Sequence, residues 1–235
     1  MVVSEDRVQR RRGKYGTVLV ATLVTILATV VLPEDGWAKV ALTILQGGML
    51  WLAFVAAGVP RSLLWWSLVA WAIASLIAGA VTLSSWDGSG VLTSIVSLVL
   101  IAAAGAAILR NLVIGGRITV ASVGGVLSVY LMIGLVFTYL YATIGDLSDT
   151  PVLKGADPVD LSDEVYFTFI TLATVGYGDL TPATDLVRGL AITQALVGQL
   201  YLVSVVALVV SNLGRAAPER RIRSAEGEEP AAPPG

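Results

Sequence analysis

The chain has 235 residues, 56% of them hydrophobic and 14% charged, with a mean hydropathy of +0.82 and a net charge of −2. That balance is too apolar for a soluble domain and describes an integral membrane protein. Cys and His are both absent, which excludes disulfides, thiolate chemistry and imidazole-based sites, and the slight acidity argues against nucleic acid as a partner.

Residues 1–15 form a basic arm with Arg7, Arg10, Arg11, Arg12 and Lys14, the kind of flank that stays cytoplasmic. Contact with lipid head groups is a second use for the same charges. The first apolar run, Thr17 to Leu32, is short against the roughly 20 residues a spanning helix needs. A basic arm before a short apolar core also describes a signal peptide, with Gly36-Trp37-Ala38 as its cleavage site. Glu34 and Asp35 stand just before that site and argue for a retained helix. Further spans are expected over Trp37–Val59, Leu63–Leu83 and Val91–Ile114, punctuated by Pro33 to Gly36, by Pro60-Arg61 and by Ser84 to Gly88. Residues 16–114 therefore read as a bundle of four transmembrane helices. Gly47, Gly48 and Ala53 in the second span, and Ala102 to Ala107 around Gly105 in the fourth, permit close backbone approach. Trp37, Trp65, Trp66 and Trp86 fall near span ends as interfacial anchors, whereas Trp51 and Trp71 are expected between helices.

Gly115-Gly116, between Arg110 and Arg117, marks a joint, and residues 115–214 form a second unit built on two long apolar runs, Ile118–Thr143 and Leu186–Leu213. Within the first of these runs Ser122, Gly124, Gly125 and Gly134 are close-packing positions. Loop charge alternates along the chain: acidic at Glu34 and Asp35, basic at Arg61, acidic at Asp87, basic at Arg110 and Arg117, acidic over Asp146–Glu164, basic from Arg215. Six spans with both termini cytoplasmic in the cell membrane satisfy that alternation. The loop from Asp146 to Glu164 sets six acids against Lys154. Ser162 or Asp160 can cap a short helix from about residue 163 to 173, with Asp163 and Glu164 at its positive end. Residues 215–235 read as a short disordered cytoplasmic tail.

Between the two runs lies Thr171-Leu172-Ala173-Thr174-Val175-Gly176-Tyr177-Gly178-Asp179-Leu180-Thr181-Pro182. Two glycines alternating with a β-branched residue and an aromatic cannot be ordinary helix. They let the backbone turn its carbonyls to one side wherever Gly takes positive φ. At membrane depth such a segment is tolerable only when buried in protein or lining a wet cavity. Thr174 to Gly178 followed by Asp179, with an aromatic segment (Tyr166, Phe167, Phe169) upstream and Thr181-Pro182 downstream, resembles the selectivity filter of tetrameric potassium channels, over about 118–213.

The resemblance implies an all-α membrane fold: six transmembrane helices plus a re-entrant pore helix and filter, in a homotetramer. It implies that backbone carbonyls of Thr174, Val175, Gly176 and Tyr177 coordinate dehydrated potassium, with the Thr174 hydroxyl innermost and Gly178 at the outer mouth. Val175 and Tyr177 side chains would face away and brace the carbonyls against the pore helices. Family members often carry Trp where Tyr166 and Phe167 stand, one indole donating to the acid after the filter; here Tyr166 can make the equivalent bond to Asp179, and Phe167 has no donor. Ala173 replaces a common Thr. Gly198 falls where the family's gating hinge lies, with close packing against the pore helix as the competing explanation, and Val203, Val206 and Val210 are candidates for an apolar inner gate. The six-span plan also resembles voltage-gated potassium channels, yet residues 91–109 hold no Lys or Arg, so gating by charge movement is not expected.

The function so implied is passive, potassium-selective permeation by four copies of the chain in the lipid bilayer, with no cofactor beyond the permeant ion. The alternatives are a less selective monovalent cation channel and a potassium uptake transporter, whose chain usually holds four degenerate pore repeats rather than one. An enzyme is not expected, since the spans hold no polar catalytic cluster. The opening stimulus and any auxiliary subunit are not legible.

Overall fold

The computed structural model describes residues 2–33, 35–83, 89–114, 123–148 and 150–226. Met1, Glu34, the Ser84–Gly88 connection with Trp86, the joint from Gly115 to Ser122, Asp149 and residues 227–235 lie outside the described residues. In chain order the elements are α1 (Val2–Val31), α2 (Gly36–Ala57), α3 (Arg61–Leu83), α4 (Ser89–Ile114), α5 (Val123–Leu147), β1 (Leu153–Lys154), α6 (Leu161–Leu172), β2 (Thr181–Pro182) and α7 (Asp185–Glu226). Among the described residues four helices are long and apolar enough to cross a membrane: α2, α4, α5 and the first half of α7. The apolar stretches of α1 (Tyr15–Val31) and α3 (Arg61–Ile77) are shorter.

The turn between α2 and α3 follows the punctuation in the sequence. Gly58 takes a left-handed φ of 67°, and the N–H groups of Gly58 and Val59 return to the Val55 and Phe54 carbonyls. Pro60 then opens the next helix. In a solvent that offers no hydrogen bonds, buried hydroxyls turn to their own backbone: Thr22, Thr25, Thr29, Thr43, Ser128, Thr138 and Thr143 each donate to the carbonyl four residues back.

One core joins the two halves of the chain. Val18 of α1, Met49 and Ala53 of α2, Ile101, Ala104 and Ile108 of α4, and Met132 and Leu135 of α5 are all buried together. Helix α5 is thus a member of the bundle formed with α1, α2 and α4. Tyr139 of α5 reaches into the bundle, where its hydroxyl accepts from Gln46 Nε2 at 2.6 Å, and Ser94 of α4 donates to Asp146 of α5 at 2.8 Å. Several of the small residues sit at close contacts, though Gly48 has nothing within 4 Å of where a Cβ would lie. A Cβ on Gly47 would overlap the Trp71 indole, one on Gly125 the Tyr15 ring, and one on Gly134 the Phe169 ring. Trp71 is accordingly held between helices, its indole N–H donating to the Thr43 carbonyl at 3.3 Å. Trp51, expected in the same position, is 41% exposed on the outer face instead. Trp37, Trp65 and Trp66 are exposed as anchors would be.

Two boundaries differ from expectation. The outer helix runs to Leu147, past the Thr143 at which the apolar run ends. The tail expected to be disordered from Ala216 continues as helix to Glu226, in one 42-residue element with the last span. Its Ala, Arg and Glu residues are good helix formers, and extending an existing helix avoids the nucleation penalty that isolated peptides face.

Candidate functional site

The site is built from α6 upward. Asp160 caps this helix: its Oδ1 accepts from the Asp163 N–H at 2.9 Å, and Asp163 Oδ2 accepts from the Asp160 N–H at 3.2 Å, a reciprocal box. Ser162, the alternative cap, donates to Asp160 Oδ1 at 2.7 Å. Burial alone would raise the Asp160 pKa, but the Ser162 hydroxyl and the N–H groups of Asp163 and Ser162 outweigh it, and the carboxyl titrates below its ordinary range. Asp163 and Glu164 lie in the first turn, where the helix dipole favours negative charge.

At the other end of α6 the chain leaves the helix with its carbonyls nearly all occupied. Ala173 N–H donates to Phe169 O, Thr174 N–H to Thr171 O, and the N–H groups of Val175 and Gly176 both to Ile170 O. The following backbone alternates in handedness: Thr174, Gly176 and Gly178 have φ of 58°, 52° and 82°, and Val175 and Tyr177 between them do not share it. Such alternation gathers N–H groups on one side and leaves carbonyls on the other. The sequence placed positive φ at the two glycines; the structure starts it one step earlier, on a β-branched Thr held by the bonds above.

Behind this stretch, β1 pairs antiparallel with β2 (Leu153 opposite Pro182, Lys154 opposite Thr181), and Ala183 N–H donates to Val152 O at 2.9 Å. Gly155, with φ of 111°, backs directly onto the Asp179 carbonyl, so any larger residue would collide with backbone. Phe167 is buried with Phe137, Tyr141, Leu153, Leu180 and Val187, its ring meeting Tyr141 edge-on at 5.6 Å. Three polar residues that the sequence reading passed over complete the surround. Gln194 of α7, fully buried, accepts from the Tyr141 hydroxyl at 2.8 Å and donates to the Thr168 carbonyl at 2.7 Å. Tyr130 of α5 donates to the Leu172 carbonyl at 3.0 Å. Their signal was available, since a polar side chain inside an apolar run marks a helix contact or a site.

The Tyr166 hydroxyl donates to Asp179 Oδ2 at 2.7 Å. That bond holds the Asp179 carboxyl below its ordinary 3.8 and raises the Tyr166 phenol above its ordinary 10. The bond therefore persists from neutral pH down to the Asp179 titration, and is lost as pH falls through that depressed value or rises through the raised phenol. Tyr166→Phe should loosen the outer mouth at pH 7, seen as faster loss of current under sustained recording. Wild type should reach the same state only when the outer solution falls below the ordinary carboxylate range, and pH 5–8 should leave it unchanged.

Gly198 packs against α6: a Cβ there would overlap the Leu172 side chain, and α7 passes through this position as unbroken helix. Val203 is exposed in the single chain, while the side chains of Val206 and Val210 lie outside the described part. Val175 and Tyr177 are 50% and 73% exposed, as are Leu186, Ile192, Leu196 and Leu200 along α7. Their expected braces are not found within one chain.

Residues 125–215, from α5 into α7, match a family model described as ion channel. Among curated proteins it is 36% identical over 84 residues to two pore potassium channel b of Oryza sativa subsp. japonica, covering 36% of this chain and 22% of that one. It is 33% identical over 86 residues to the inward rectifier potassium channel Kirbac3.1 of Paramagnetospirillum magnetotacticum, covering 37% and 28%. Two pore potassium channel a of the same rice is 35% identical over 91 residues, covering 39% and 23%. The chain thus spans about a quarter of the length of the curated relatives it matches. No solved structure matches it.

Proposed function

We propose that four copies of this chain surround a pore that passes potassium selectively and passively across the cell membrane. The observation that carries the reading is the alternation of positive φ at Thr174, Gly176 and Gly178 with Val175 and Tyr177 outside that region, the backbone pattern that a row of carbonyls facing an ion would need. Thr174, Val175, Gly176 and Tyr177 would strip and hold the ion, with Gly178 at the mouth and Tyr166, Phe167 and Asp179 supporting them. One chain holds one copy of this row, and a closed ring of ligands needs several. The uncovered Val175 and Tyr177 side chains and the apolar flank of α7 are the surfaces that neighbouring copies would cover. A hinge at Gly198 and a constriction at Val203, Val206 and Val210 belong to the same proposal, as do six spans with cytoplasmic termini, which the alternation of loop charge supports.

The test is reconstitution of the purified chain in vesicles. Its mass in detergent should be that of four chains, and its reversal potential should follow the potassium gradient and ignore sodium. Conductance should vary only gently with voltage. Each charge moved through the field supplies about 2.3 kcal/mol per 100 mV, and residues 91–109 offer none. A monomer, or equal passage of sodium, would remove the reading.

A further inference from the structure

We infer that Tyr130 is a positioning residue for the inner end of the potassium filter, an inference that rests on the permeation reading above. Of the four C-terminal carbonyls of α6, those of Phe169, Ile170 and Thr171 are taken by N–H groups of the segment that follows. The fourth, that of Leu172, is taken by the Tyr130 hydroxyl, contributed by a different helix. Leu172 is also the residue whose side chain is closed in on both sides, by Gly134 of α5 and Gly198 of α7. Its carbonyl is therefore a point at which a side chain of α5 holds the backbone as it leaves α6. Two residues later Thr174 must adopt φ of 58°, a conformation a β-branched residue holds only when its surroundings over-determine it. Tyr130 supplies that determination from outside the segment.

The structure offers a matched control. Tyr201 stacks on Tyr130 with ring centroids 6.2 Å apart, but its hydroxyl donates to the Val126 carbonyl of α5, away from α6. Removing either hydroxyl takes one hydrogen bond from the same aromatic pair and keeps the rings in place. Only one of the two touches the residue that launches the filter.

Tyr130→Phe and Tyr201→Phe should each assemble, with thermal dissociation lowered to a similar extent. Reversal potentials of the reconstituted channels in opposed potassium and sodium solutions separate the roles. Tyr130→Phe should lower the potassium-to-sodium permeability ratio by about tenfold, the equivalent of one hydrogen bond. Tyr201→Phe should leave the ratio at the wild-type value. Equal ratios in wild type and Tyr130→Phe overturn the inference while the filter reading stands. So does an equal fall in both variants, or failure of Tyr130→Phe alone to assemble, since each would make the hydroxyl a general packing determinant. A wild-type channel that passes both ions alike removes the filter reading, and this inference with it.

Discussion

Gly176→Ala should abolish potassium flux while leaving the protein assembled. Inside the chain nothing lies within 4 Å of the position a Cβ would take at Gly176, so collision is not the cause. The cause is backbone handedness: φ is 52°, and an L-residue in that region is disfavoured by about 1–2 kcal/mol. Four copies in one ring would each carry the penalty, roughly 4–8 kcal/mol in all. A peptide flip relieves it, at the expense of turning a carbonyl away from the ion. Thr174 shows that the strain can be held when hydrogen bonds enforce it, but the N–H of Gly176 has only a shared bond to Ile170 O at 3.2 Å. Potassium release from loaded vesicles should fall to the level of empty vesicles for Gly176→Ala. D-alanine at the same position prefers positive φ and should restore most of the flux. Wild-type flux through the L-alanine variant would show that the alternation is not what aligns the ligands.

Much of this site was legible because the membrane and the backbone limit what a sequence can do there. A span has a length, so the apolar runs gave α2, α4 and α5 within a few residues. Glycines at alternate positions leave few conformations, so the break in helix at Thr174–Gly178, with positive φ at Gly176 and Gly178, was readable from residue type. The Asp160 cap was one of two candidates that short polar side chains allowed. What was not legible is partnership between helices. Trp51 and Trp71 are the same residue at comparable depth in adjacent spans, yet one faces outward and the other fills the space over Gly47. In a soluble helix the polar face would have told them apart. In lipid both faces are apolar, and the period carries little information. The same limit hid not Tyr141 and Gln194 themselves but their pairing across 53 residues.

That pair carries the second large effect. Gln194→Leu should lower the thermal dissociation of the assembled channel more than any other single change among the buried polar residues behind the filter. Gln194 is fully buried and links three elements at once, α5 through Tyr141, α6 through the Thr168 carbonyl, and its own α7. Leucine keeps the volume but strands the Tyr141 hydroxyl, and it removes the second donor from the Thr168 carbonyl. A buried polar atom without its partner is worth about 1–3 kcal/mol in water-soluble proteins. Hydrogen bonds between membrane helices average nearer 0.6 kcal/mol. About 2 kcal/mol per chain, repeated four times, is a fair expectation from both scales. Tyr141→Phe should lose less, because Gln194 keeps its bond to Thr168. Thr168→Val is the opposing control: the Thr168 hydroxyl is buried without a partner, so its removal should hold or raise stability. Dissociation temperatures should therefore rank Gln194→Leu below Tyr141→Phe, with Tyr141→Phe below wild type and Thr168→Val at or above it. Were Thr168→Val as damaging as Gln194→Leu, shape rather than hydrogen bonding would be holding α6 against α7.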